Sequence, residues 1–152
     1  MHELILGGAK SGKSRCAEMR AAAWLAGGPQ RSARLLATAV AGDAEMAERI
    51  ARHRADRAAR VPQLEVVEVG AALGQAISDH AAPHRLLIVD CLTLWLTQRM
   101  LPLGGPPRPH AQADVEALTS ALARCPVPVV LVSNEIGMGV LPMSPEMRRF
   151  VD

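Results

Sequence analysis

Apolar and polar positions along this chain fall into short runs of two kinds that take turns. Leu4-Ile5-Leu6 is a brief apolar run suited to a buried strand, and Arg15 to Leu25, rich in Ala, Met and Glu, has the composition of a helix. The stretch "GGPQRSA", Gly27 to Ala33, is turn chemistry, after which "RLLATA", Arg34 to Ala39, predicts a second strand. Asp43 can cap a helix running through "AEMAERIARHRADRAAR", with Glu45 in its first turn and Pro62 marking its end. Further strands are predicted at Leu64 to Val69, at Val127 to Glu135, and at Arg85 to Asp90, a nearly continuous apolar run closed by an acid. "PLGGPPRPH", Pro102 to His110, reads as a loop, and Ala111 to Ala123 as a helix.

Repeated strand, helix, strand order predicts an α/β fold, a mostly parallel sheet with helices on both faces. Ligands of such sheets gather at the carboxyl ends of the strands, where Gly7, Thr38, Asp90 and Asn134/Glu135 fall.

One of those ends carries a specific pattern. "GGAKSGKS", Gly7 to Ser14, has the form Gly-x-x-x-x-Gly-Lys-Ser between a strand and a helix. Its backbone N–H groups can curl around a di- or triphosphate, Lys13 can reach the β- and γ-phosphates, and Ser14 can reach a magnesium ion. The fold expected is therefore P-loop NTPase-like. Asp90 is placed to hold the same magnesium or its water; the plain alternative is an acid that caps the next helix.

Composition narrows the partners. Seventeen basic and 15 acidic residues, mixed along 152 positions for a net charge of +2, form no polybasic tract of the kind that follows a nucleic-acid backbone. Two Trp, one Phe and no Tyr leave little with which to stack bases. Three scattered cysteines, Cys16, Cys91 and Cys125, match neither a disulfide framework nor a zinc site. No apolar run reaches the roughly 18 residues of a membrane span, and Met1 leads straight into a strand, so a cytoplasmic protein of one domain is expected.

On the second predicted helix, Met46, Ile50, His53 and Arg57 share a face. By spacing alone His53 is a core or interface histidine, although a neutral imidazole is also a competent nucleophile toward phosphorus, with Arg52, Arg54 and Arg57 near enough in sequence to hold phosphate oxygens. "SNEIGMGVLP", Ser133 to Pro142, is glycine-rich and polar beyond a buried strand, and reads as an acceptor loop or as an ordinary connection.

Taken in order, "GGAKSGKS", "ATA" followed by "DAEMAERIARHR", "IVDCLTLWL" and "VSNEIGMGVLP…RRF" resemble the bifunctional adenosylcobinamide kinase / adenosylcobinamide-phosphate guanylyltransferase family of cobalamin biosynthesis. The resemblance covers essentially the whole chain. It implies phosphorylation of adenosylcobinamide by ATP or GTP, then transfer of GMP from GTP through a GMP–histidine intermediate, with His53 as the histidine. It further implies Lys13 as a catalytic residue and nucleotide contacts at Gly7, Gly8, Ala9, Lys10, Ser11, Gly12, Lys13, Ser14, Ala37, Thr38, Ala39, Arg54, Ala55, Asp56, Arg57, Glu68 and Asp90. Magnesium would rest on Ser14 and Asp90. A homotrimer is implied too, as is a last strand that this chain, ending at Asp152, would lack. The competing readings are a simpler P-loop kinase of a small metabolite, with His53 structural, and a nucleotide-dependent binding module. Against a guanine-reading switch, no Asn-Lys-x-Asp segment occurs.

Overall fold

A computed structural model of the chain describes residues 2–8, 12–39, 43–101, 106 and 111–134. Among the described residues ten elements follow in order, strand and helix alternating up to α4: β1 (Glu3–Gly7), α1 (Lys13–Leu25), β2 (Ser32–Ala37), α2 (Ala44–Arg60), β3 (Leu64–Glu68), α3 (Leu73–His80), β4 (Arg85–Asp90), α4 (Leu92–Met100), α5 (Gln112–Arg124) and β5 (Val129–Asn134). The strands form one sheet in the order β1-β5-β4-β2-β3, with every pairing parallel.

Burial along each strand follows its place in that order. Central β4 and β5 are covered on both faces and so read as unbroken apolar runs, whereas β1, at one edge, alternates. Two cores result. Leu87, Val89, Val129 and Leu131 pack on one face with Leu73 and Ile77 of α3, Trp95 and Leu96 of α4, and Leu118 of α5. Leu86, Ile88, Val130 and Val132 turn to the other face, against Ala17 and Ala21 of α1. Full burial of one such Leu or Ile contributes on the order of 1.5–3 kcal/mol. Helices thus cover both faces, as the alternation predicts.

Boundaries moved at several ends. The helix expected from Arg15 starts at Lys13, β2 stops at Ala37 before Ala39, and β5 begins at Val129 because Pro128 has no N–H to give a ladder. Two helices were not anticipated. Only Asp90 and Cys91 separate the apolar run of β4 from that of α4, so the two merge in sequence, and α3 is only eight residues long. Asp43 does cap α2, accepting a 2.8 Å hydrogen bond from the Met46 N–H. Of the loop expected at Pro102 to His110, all but Pro106 lies outside the described residues, as does "SNEIGMGVLP" beyond Asn134.

Candidate active site

Parallel pairing sets Gly7 beside Asn134, brings the ends of β5 and β4 together, and pairs Ala37 with both Asp90 and Glu68. The carboxyl ends therefore form a row, Gly7, Asn134, Asp90, Ala37 and Glu68, along one rim of the sheet. β5 stands between the phosphate-loop strand and the Asp90 strand.

α1 rises from the first place in that row. Its N-cap, Gly12, has φ +83°, a left-handed conformation in which a Cβ is strained, and offers no side chain to the first-turn N–H groups. That turn holds no acid and carries Lys13 and Arg15, so the positive end of the helix dipole is left for an outside anion. Lys13 Nζ donates to the Gly8 carbonyl at 3.2 Å. Ala9, Lys10 and Ser11 lie outside the described residues.

Asp90 connects three elements. Its Oδ2 accepts from Ser14 Oγ at 3.3 Å and from Arg57 Nη2 at 3.4 Å. The carboxylate does not cap α4; the Cys91 sulfur takes that place, accepting from the Leu94 N–H. Ser14 and Asp90 set two hard oxygens side by side, a donor pair suited to magnesium, which keeps most of its shell for water and phosphate.

A cleft of about 170 Å³ opens here, lined by Ser14, Leu35, Ala37, Ala39, Ile50, His53, Arg54, Arg57, Asp90 and Leu94. His53 is exposed at this cleft, so the core-histidine reading falls. Arg57 is buried, and Arg54, at the rim, pairs with the Glu68 carboxylate. Ala55 and Asp56 are exposed on α2 and do not line the cleft. Thr38 is buried, with its hydroxyl donating to the Cys91 carbonyl at 2.7 Å and accepting from the Cys91 N–H at 2.8 Å. Its side chain braces the turn after β4.

Two arrangements escaped the sequence reading. Glu18 on α1 is buried and grips Arg60 of α2 through both carboxylate oxygens, at 2.7 and 2.9 Å. This bond raises the Arg60 pKa. Thr93 and Ser133, both buried, share a 2.9 Å hydrogen bond, and the Asn134 N–H donates to Thr93 Oγ1, tying the end of β5 to α4. A buried acid among helix formers looks like a solvated face in sequence. Only the spacing Ser14 to Glu18, one helical turn, hints that both share a side of α1.

A parallel sheet with a glycine loop, an uncapped helix start and a strand-end acid defines a P-loop nucleotide-dependent phosphotransfer protein, and α2 adds a histidine and two arginines to its cleft. Residues 3–152 match the family described as cobinamide kinase / cobinamide phosphate guanyltransferase. The chain belongs to that family, and so to the kinases and guanylyltransferases of cobalamin biosynthesis. It is 45% identical over 152 residues to the bifunctional adenosylcobalamin biosynthesis protein CobP of Pseudomonas aeruginosa, spanning 100% of this chain and 82% of that one. It is 34% identical over 159 aligned residues to the bifunctional adenosylcobalamin biosynthesis protein CobU of Escherichia coli, covering 98% and 83%. To CobU of Salmonella typhimurium the identity is 35%, with the same coverage.

Proposed function

We propose that this chain phosphorylates adenosylcobinamide and then guanylylates the product through His53, using one phosphate site for both steps. What supports this reading is that His53, Arg54 and Arg57 of α2 share a cleft with Ser14 at the end of the phosphate loop and Asp90 at the end of β4.

In the kinase step the substrate hydroxyl attacks the γ-phosphorus of ATP or GTP, its O–P bond forming as the bond to the β,γ-bridging oxygen breaks and its proton passing to water. The loop amides and Lys13 hold the phosphates and offset charge that builds on them, while Arg57 serves the guanylyl step. In the guanylyl step a neutral His53 nitrogen attacks the α-phosphorus of GTP and pyrophosphate leaves with the α,β-bridging oxygen. The phosphate of adenosylcobinamide phosphate then attacks the same phosphorus, the P–N bond breaks, and His53 is restored as adenosylcobinamide-GDP forms. Magnesium suits the Ser14 and Asp90 oxygens and would supply charge neutralisation on the phosphates when bound. Small Ala37 and Ala39 keep the wall beside these groups low, and Glu68 holds Arg54 at the rim. The working form we propose is a cytoplasmic homotrimer, which solution mass would test.

Protein incubated with α-labelled GTP is expected to gain an acid-labile, base-stable label, as a phosphoramidate is, and none from γ-labelled GTP. His53→Asn should lose that label yet phosphorylate adenosylcobinamide within about tenfold of the parent, roughly 1.4 kcal/mol of barrier. A label that persists in the variant would place the nucleophile elsewhere.

A further inference from the structure

α2 carries the histidine of the site, yet it is attached to the body mainly by charge. Of its 17 residues only Arg57 is buried, while the apolar Met46 and Ile50 are half-covered. Apolar burial therefore contributes little to fixing how this helix lies. The ties on its inner side are ionic: Arg57 to Asp90, and both Arg57 and Arg60 to Glu18.

Glu18 is the centre of that set. Its side chain is 3% exposed, and a carboxylate so far from water persists only when paired. Arg60 meets it with the two-pronged geometry that guanidinium and carboxylate share. Arg57 Nε lies 3.5 Å from Glu18 Oε1, close enough for attraction but without hydrogen-bond geometry, and has no hydrogen-bond partner among the described residues. One buried anion thus faces two cations of α2, and the second of these reaches on to Asp90.

The spacing gives this pairing leverage. Glu18 follows Ser14 by four residues on α1, and Arg57 follows His53 by four on α2, so each ionic partner lies about 6 Å along its helix from a residue of the cleft. A tie between Glu18 and Arg57 sets the separation of the same two helix faces that carry Ser14 and His53. We infer that Glu18 is a positioning residue: through Arg57 and Arg60 it holds α2 so that His53 overhangs the phosphate site. This rests on the guanylyl-transfer reading above, and it gives Glu18 a larger share in His53 guanylylation than in phosphorylation of the alcohol. The kinase step needs the loop and a placed hydroxyl, whereas the guanylyl step also needs α2 in register.

Glu18→Gln, which keeps shape and removes charge, and Arg60→Met, at a side chain 37% exposed, test this in the full chain. Three readouts are compared with the parent: amide hydrogen exchange of 44–60 against that of β4, label gained from α-labelled GTP, and phosphorylation of adenosylcobinamide by ATP. Glu18→Gln is expected to speed exchange in α2 at least tenfold with β4 unchanged, slow labelling at least tenfold, and leave phosphorylation within about threefold. Arg60→Met should shift the same readouts in the same direction, and the double variant should be no worse than Glu18→Gln alone, since Glu18→Gln already removes the tie that Arg60→Met cuts. Equal losses of labelling and phosphorylation, or unchanged exchange in α2, would overturn the inference. If Glu18→Gln does not fold, Arg60→Met decides by the same criteria. A parent that takes no label would refute His53 as nucleophile, and exchange in α2 would still decide whether Glu18 holds that helix.

Discussion

Replacing Gly12 by Ala separates what the phosphate loop costs the fold from what it gives the ligand. At φ +83° the residue is left-handed, and an added Cβ would meet nothing within 4 Å, so no clash enters the account. The folding penalty is then the backbone term alone, about 1–2 kcal/mol for an L-residue in that region. For a domain of this size each kcal/mol lowers the melting temperature by about 2–4 °C, which places the expected fall at about 2–8 °C. Binding should suffer separately, because the methyl group projects from the one position where the chain passes directly into the uncapped start of α1 and must come close to phosphate. A calorimetric titration with GTP and magnesium should show Kd weakened tenfold or more, about 1.4 kcal/mol. Gly12→Asn supplies the control: Asn tolerates the left-handed region, so it should recover part of the melting temperature and none of the affinity. Unchanged Kd in both variants, with melting temperatures shifted as expected, would refute the assignment of this loop as the phosphate site.

Gly74→Ala should behave in the opposite way. Its Cβ would stand 2.7 Å from the Ala117 carbonyl oxygen, backbone against backbone between α3 and α5, and should cost about 1–3 kcal/mol in denaturant titration while leaving GTP affinity as it was. Asp90→Asn should lower turnover by about ten- to a thousandfold and move the magnesium titration to higher concentration, and identical titrations for variant and parent would remove Asp90 from the metal's shell. Burial pushes the Cys91 thiol up, so it stays protonated through neutral pH. A thiol reagent at pH 8 should then modify Cys91 only after unfolding, and this group's contribution to stability should decline as pH rises past the thiol value of the unfolded chain. Rapid native labelling of Cys91, read by peptide mass, would contradict that.

Much of the site was legible because it is local. The glycine spacing at Gly7 to Ser14, a strand before and a helix after, and an acid closing the apolar run Arg85 to Asp90 each follow from residues a few positions apart. Hydrophobic period and turn chemistry act over that range, and so does the Asp43 cap, whose bond to Met46 spans three residues. Other features required the chain to fold back on itself. Nothing in β4 or β5 alone states which of them lies next to β1, since strands buried on both faces are interchangeable until packing orders them. Thr38 could have faced a ligand by its position after β2, and only the Cys91 peptide, 53 residues on, turns its hydroxyl inward. His53 shares a stripe with Ile50, which reads as core, yet α2 buries only Arg57 and the imidazole is exposed at the cleft. Glu18 was the least legible of all. A carboxylate in a helix is ordinarily solvated, and what makes this one buried and stable is a pair of guanidinium groups some forty residues away, an attraction that depends on distance through space and leaves no mark on the local pattern.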